Sequence, residues 1–72
     1  MKKEDVNIKI AERIIYYRKL RGLSQEGLGS LLDMTRQNIQ EIESGKRNPG
    51  AFLLRRIAKA FEITLSELLK GV

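Results

Sequence analysis

The stretch Leu23-Ser24-Gln25-Glu26-Gly27-Leu28-Gly29-Ser30-Leu31-Leu32-Asp33-Met34-Thr35-Arg36-Gln37-Asn38-Ile39-Gln40-Glu41-Ile42-Glu43-Ser44-Gly45 decides the fold. Leu28, Leu31 and Leu32 recur at helical spacing, and the Ser24 hydroxyl can accept from the free amides of the next turn, so Gln25 to Leu32 reads as a helix. Thr35 offers the same cap to a helix from Arg36 to Ser44, with Ile39 and Ile42 inward and Gly45 as a left-handed stop. Asp33-Met34-Thr35 is too short for a wide loop, so the two helices should cross near a right angle and the second should be presented on the surface.

Working outward, Ile10, Ile14, Tyr17 and Arg21 share one face of a helix expected over Asn7 to Arg21, with Gly22 in the stop position. Beyond the turn-like stretch Gly45 to Gly50, which holds the only proline, Ala51 to Phe61 carries Leu54, Ile57, Ala58 and Phe61 at helical spacing. Thr64-Leu65-Ser66-Glu67 is a capping box that opens a fifth short helix ending before Gly71. No run alternates apolar and polar residues as a strand would. The expectation is an all-α, compact five-helix bundle: one domain over 7–70 behind a polar leader, residues 1–6, with the paired short helices over 25–44.

The chain has 72 residues, 42% apolar and 32% charged, which is the composition of a small folded domain rather than a disordered one. It contains no Cys and no His, which removes disulfides, thiolate metal sites, the commonest metal ligand and the usual general base. An enzyme is therefore not expected, nor is a metal, a cofactor or a small-molecule ligand. No stretch approaches the roughly 18 apolar residues of a membrane span, so no membrane association and a soluble cytoplasmic location are expected. A net charge of +5 favours an anionic partner. The excess lies in the second part of the chain: residues 1–44 carry 8 Lys+Arg against 7 Asp+Glu, and residues 45–72 carry 6 against 2.

With Ile39 and Ile42 setting the buried direction of the third helix, Gln37, Gln40, Glu41 and Ser44 point outward, and Arg36 and Asn38 flank them in the first turn. Arg can fork onto guanine, Gln and Asn can pair with adenine, and Glu can accept from the cytosine amine. The alternative is a solvated, amide-rich helix face of no special role. Glu43 lies only about 70° from the buried direction, so its carboxylate should be at least half covered and needs a partner. Arg18, at the edge of the first helix's apolar face, is the best candidate for a fork that fixes helix 1 against helix 3.

The run from Leu23 to Leu32, the run Thr35 to Ser44 followed by Gly45-Lys46-Arg47-Asn48-Pro49, and the tail Ile57-Ala58-Lys59-Ala60-Phe61 with Leu65-Ser66-Glu67-Leu68-Leu69 together resemble the phage repressor and Cro-type, or XRE-type, helix-turn-helix domains. The resemblance covers roughly residues 10 to 69. It implies a lambda-repressor-like fold and a sequence-specific regulator of transcription, bacterial or phage-encoded, that binds double-stranded operator DNA as a homodimer. It also implies base reading by Arg36, Gln37, Gln40 and Glu41, backbone contacts from Gln25, Asn38, Lys46, Arg47 and Asn48, and a structural ion pair between Arg18 and Glu43.

Several positions depart from that pattern. Gly27 and Gly29 stand where helix formers are usual and should together cost helix 2 about 2 kcal/mol relative to two alanines. Gly29 is expected to allow close approach of helix 3. Asp33 replaces the usual turn glycine, tolerable because Asp visits left-handed conformations more readily than most residues. Phe52 and Leu53, together with Ile63, are candidate dimer contacts, as are Ile8 and Ile15; scattered surface apolars are the alternative. The competing function is an antitoxin-like or adaptor module that binds a protein, through a helical face or the Phe52/Leu53 patch. All five helices are consumed by one head, which leaves no room within these residues for a sensor.

Overall fold

Local capping signals set most of the element boundaries. A computed structural model describes residues 2–72, with Lys3 and Glu4 described at the backbone only. The described residues hold five helices and no strand: α1 Lys3–Leu20, α2 Gln25–Leu32, α3 Arg36–Glu43, α4 Gly50–Ala60 and α5 Leu65–Leu68. Ser24 Oγ accepts from Gly27 N at 2.9 Å, Thr35 Oγ1 from Asn38 N at 3.1 Å and Thr64 Oγ1 from Glu67 N at 3.0 Å, and the capping box at α5 is complete.

Three of the helices end in the same device. The residue just past the last turn adopts a left-handed conformation, its N–H bonds back three residues, and the following N–H bonds back five. Gly22 does this for α1 (φ +69), with Leu23 N on Arg18 O at 3.0 Å. Asp33 does it for α2 (φ 56), with Met34 N on Gly29 O at 2.8 Å. Glu62 does it for α4 (φ 60), with Ile63 N on Ala58 O at 3.0 Å. A longer acid at a left-handed position has no local side-chain compensation of the kind Asp offers, so Glu62 is the strained member of the set.

α2 and α3 pack on each other, α3 leans on α1, and α4 lies against α2 and α5. Their inner faces meet in one core of Ile10, Ile14, Leu28, Leu32, Ile39, Ile42, Leu54, Ile57, Ala58, Phe61 and Leu68. Phe61 is fully enclosed, with the Tyr17 ring stacked on it at 6.1 Å between centroids. Eight of these side chains are essentially inaccessible, and fully burying one large aliphatic contributes about 1.5–3 kcal/mol. The α2–α3 pair is therefore mounted on a rigid block.

Five helix ends differ from the sequence expectation, and at α3 the last residue is Glu43, with Ser44 as its cap. α1 begins at Lys3, not Asn7, because Val6 packs against the core one turn before Ile10 and its N–H bonds to Lys2 O at 3.2 Å. Arg21 is the C-cap of α1 rather than its last residue, and its side chain reaches the same side as Tyr17, where Phe61 packs. α4 is bounded at Gly50–Ala60 rather than Ala51–Phe61, with Gly50 at φ +76 and right-handed geometry following from Ala51. At Gly29, α3 does come close, with Ile39 Cγ1 3.6 Å from where a Cβ would stand, but the tighter neighbour is the turn: that Cβ would sit 2.5 Å from the Met34 carbonyl oxygen. At Gly27 an added Cβ would meet the capping Ser24 Oγ at 3.2 Å, a mild crowding of the cap.

Candidate nucleic-acid interface

α3 is fixed from beneath. The Arg18 fork places Nε 2.6 Å from Glu43 Oε2 and Nη2 3.1 Å from Oε1, while Nη1 donates to Leu23 O at 2.9 Å. The side chains are only 12% and 5% exposed, so the fork joins the last turn of α1 to the last residue of α3 largely shielded from bulk water. Gln25 completes the knot, its Nε2 donating to Glu43 Oε1 at 3.1 Å. All three charge-assisted bonds to the carboxylate are satisfied in geometry, which is the condition under which a buried carboxylate is tolerated. The first residue of α2 and the last of α3 are thus tied through one carboxylate, and the angle between the helices is held by it.

Above that anchor, α3 presents a polar face. Arg36, Gln37 and Gln40 are exposed, Glu41 and Asn38 half-buried, and Ile39 and Ile42 each 1% exposed on the opposite side. Gln37, Gln40, Glu41, Ser44 and Lys46 line one open depression of about 240 Å3. Four of the residues expected at bases or backbone are therefore neighbours on one surface: Gln37, Gln40, Glu41 and Lys46. None of the three glutamine and glutamate side chains in that depression is tied to another protein group by a hydrogen bond among the described residues, so their donors and acceptors are available to a ligand.

The loop beyond α3 is shaped by its own polar groups. Ser44 Oγ donates to Glu41 O at 2.8 Å and receives Lys46 N at 3.4 Å, and Asn48 Oδ1 accepts from Gly50 N at 2.8 Å. Gly45, at φ +78, lies against Ile8 of α1: a Cβ there would stand 2.9 Å from Ile8 Cγ1. Ile8, 46% exposed, thus covers the Gly45 turn with part of its side chain. Lys46, Arg47 and Asn48 are exposed beside the α3 face. The Asn48 amide nitrogen and the second Gln25 N–H remain for outside acceptors, whereas Asn48 Oδ1 and one Gln25 N–H serve the fold.

Other cations have structural tasks that the sequence gives no direct sign of. Arg13 donates from Nε to Leu68 O at 3.0 Å and from Nη2 to Glu67 O at 2.6 Å; Arg21 Nε donates to Phe61 O at 2.8 Å; Arg56 Nη2 donates to Leu32 O at 2.7 Å. Each guanidinium meets the end of a helix, where carbonyls lack partners and the dipole is negative. Of the candidate dimer contacts, Phe52 is 78% exposed, whereas Leu53 and Ile63 are half-buried against the core. No helix among the described residues is long and apolar enough to cross a membrane.

Comparison with known proteins agrees with this geometry. An HTH-type transcriptional regulator of Methanocaldococcus jannaschii is 39% identical over 56 residues, covering 78% of this chain and 85% of that protein. Control protein C.MunI of a Mycoplasma species is 35% identical over 69 residues, 94% of this chain and 93% of its own length. Among solved structures, the restriction-modification controller protein C.AhdI from Aeromonas hydrophila superposes with a TM-score of 0.87 at 29% identity, over 94% of this chain and 99% of that one. An HTH_3 family transcriptional regulator from Vibrio cholerae matches with a TM-score of 0.85 at 27% identity, but this chain spans 38% of it. The family model for helix-turn-helix, HTH_3, matches residues 14–68, and the chain belongs to that helix-turn-helix family.

Proposed function

We propose that the chain is a sequence-specific, double-stranded-DNA-binding regulator of transcription that lays α3 in the major groove of a palindromic operator as a twofold homodimer. The observation that carries this reading is the unengaged row of Gln37, Gln40 and Glu41 on a helix whose other side is locked by the Arg18–Glu43–Gln25 knot. A reader of base edges needs donors and acceptors that are free, and a mount that does not move. Arg36, Gln37, Gln40 and Glu41 meet base edges in this account. Lys46, Arg47, Asn38, Asn48 and the free Gln25 N–H meet the sugar-phosphate backbone and set the register. The regulatory names carried by similar proteins support the assignment to transcription, with a cytoplasmic site of action.

The homodimer follows from size. One such head covers about 600–1,000 Å² of protein surface, too little for operator-grade affinity, whereas two heads about one helical turn apart double the contact. Selection of bound duplexes from a random pool tests the reading as a whole. An inverted repeat with half-sites about one helical turn apart is expected. Enrichment of no motif, or affinity that is equal for all duplexes and indifferent to salt, contradicts it. Sedimentation adds a check on assembly: a monomer both free and on the selected duplex rules out the twofold dimer.

A further inference from the structure

α4 carries a second surface, bordered by the last turn of α2. Two adjoining troughs of about 390 and 370 Å3 run along it: one lined by Phe52, Arg55, Arg56 and Lys59, the other by Leu31, Leu32, Arg56, Lys59 and Ala60. Phe52 is 78% and Leu31 58% exposed, and no Asp or Glu lines either trough. Leu31 and Phe52 thus flank a cationic floor in which the Arg56 guanidinium is held in place by Leu32 O. Phe52 and Lys59 lie about 10 Å apart along the helix axis, the length of two turns.

We infer that this face receives an acidic, apolar-anchored segment of another protein, an amphipathic helix with Asp or Glu along its flanks. Charge selects the occupant. A second copy of this chain related by a twofold axis would bring the patch onto itself and set its cations, Arg56 above all, against like charges, with no carboxylate lining either trough. The depression between α4 and α5, lined by both Arg55 and Lys59 and by Glu62 and Glu67, has the two signs that self-pairing needs; the α2–α4 trough does not. A phosphate backbone would satisfy the cations but leave two large apolar side chains in water. An acidic helix with Leu or Phe anchors satisfies both. Because the troughs share no lining residue with the α3 depression, the two surfaces can be occupied together, which gives a DNA-bound regulator a place to touch a second protein. That last clause rests on the function proposed above; binding of the segment does not.

The test uses the free chain and a synthetic peptide of about 14 residues with Leu and Phe at helical i, i+3, i+4 and i+7 spacing and Glu elsewhere. Amide-resonance mapping is expected to show shifts centred on Leu31, Phe52, Arg55 and Lys59, weakening as salt is added. A version with Lys in place of Glu should not bind. Phe52→Ser and Lys59→Glu, both at exposed positions, should each weaken the peptide by about tenfold or more while leaving the melting curve unchanged. Absence of shifts on this face, equal binding of the Lys peptide, or shifts centred on α3 overturns the inference. So does dissociation of a homodimer by Phe52→Ser, which assigns the face to a second copy. Loss of duplex affinity in both variants, matching the loss of peptide affinity, assigns it to nucleic acid and also overturns it. The peptide arm needs no DNA, so its failure leaves the proposed function standing, and failure of duplex binding leaves the peptide result intact.

Discussion

The two sides of α3 contrast in how their polar groups are employed. On the inner side, Glu43 accepts three bonds from Arg18 and Gln25 and is 5% exposed. On the outer side, Gln37 and Gln40 are exposed and Glu41 half-buried, and among the described residues none of the three is tied by its side chain. A polar residue with every bond made inside the protein contributes to shape; one with its bonds unmade is available to a partner. The same division runs through the cations. Arg13, Arg18, Arg21 and Arg56 donate to backbone carbonyls, most of them at helix ends, while Arg36, Lys46 and Arg47 do not. Net charge alone therefore overstates what is offered to DNA.

Substitutions can break this contrast, beginning with the largest effect. Glu43→Ala leaves Arg18 buried without its carboxylate and is expected to cost about 3–5 kcal/mol, seen as a large fall in unfolding midpoint. Replacing both partners, as in Arg18→Met with Glu43→Leu, should recover most of that loss. If the single and double variants are equally unstable, the ion pair is not what holds α1 to α3. Gln37→Ala on the outer face should leave the melting curve unchanged and reduce discrimination at one base pair by about 1–3 kcal/mol, read from competition between matched and mismatched duplexes. Lys46→Ala should weaken all duplexes alike and reduce the salt slope by about 1. A sequence-dependent loss at Lys46 would place it among the base readers instead. The smallest effect is expected at Glu62, where Glu62→Gly relieves a left-handed side chain and should stabilise the chain by a few tenths to about 1 kcal/mol in thermal unfolding. The corresponding change at Asp33 should gain less.

What was legible in the sequence was what short-range chemistry encodes. Ser24, Thr35 and the Thr64–Glu67 box mark helix starts because each cap acts within three residues, and the structure begins α2, α3 and α5 where those caps indicate. Glu43 and Arg18 could be paired because a wheel shows which charge must be covered. The arginine caps were not legible, since Arg13 reaches a carbonyl 55 residues away and Arg21 one 40 residues away. Nor was the left-handed turn at Glu62, where no Gly or Asn announces it. The early start of α1 had a signal in Val6, one turn before Ile10, which the surrounding charges obscured. On the outer face, spacing identifies which residues project, but which base each one meets depends on the docking angle, and no residue pattern encodes that angle.

In the proposed function the outer face of α3 reads sequence while the knot beneath it only holds the helix. Measuring affinity of the wild-type chain and Gln37→Ala for the selected duplex and for a scrambled one, across a salt series, tests it directly. Both proteins are expected to share one salt slope and one scrambled-duplex affinity, with Gln37→Ala losing about 1–3 kcal/mol on the selected duplex alone. Equal losses on both duplexes, or no loss on either, would contradict it.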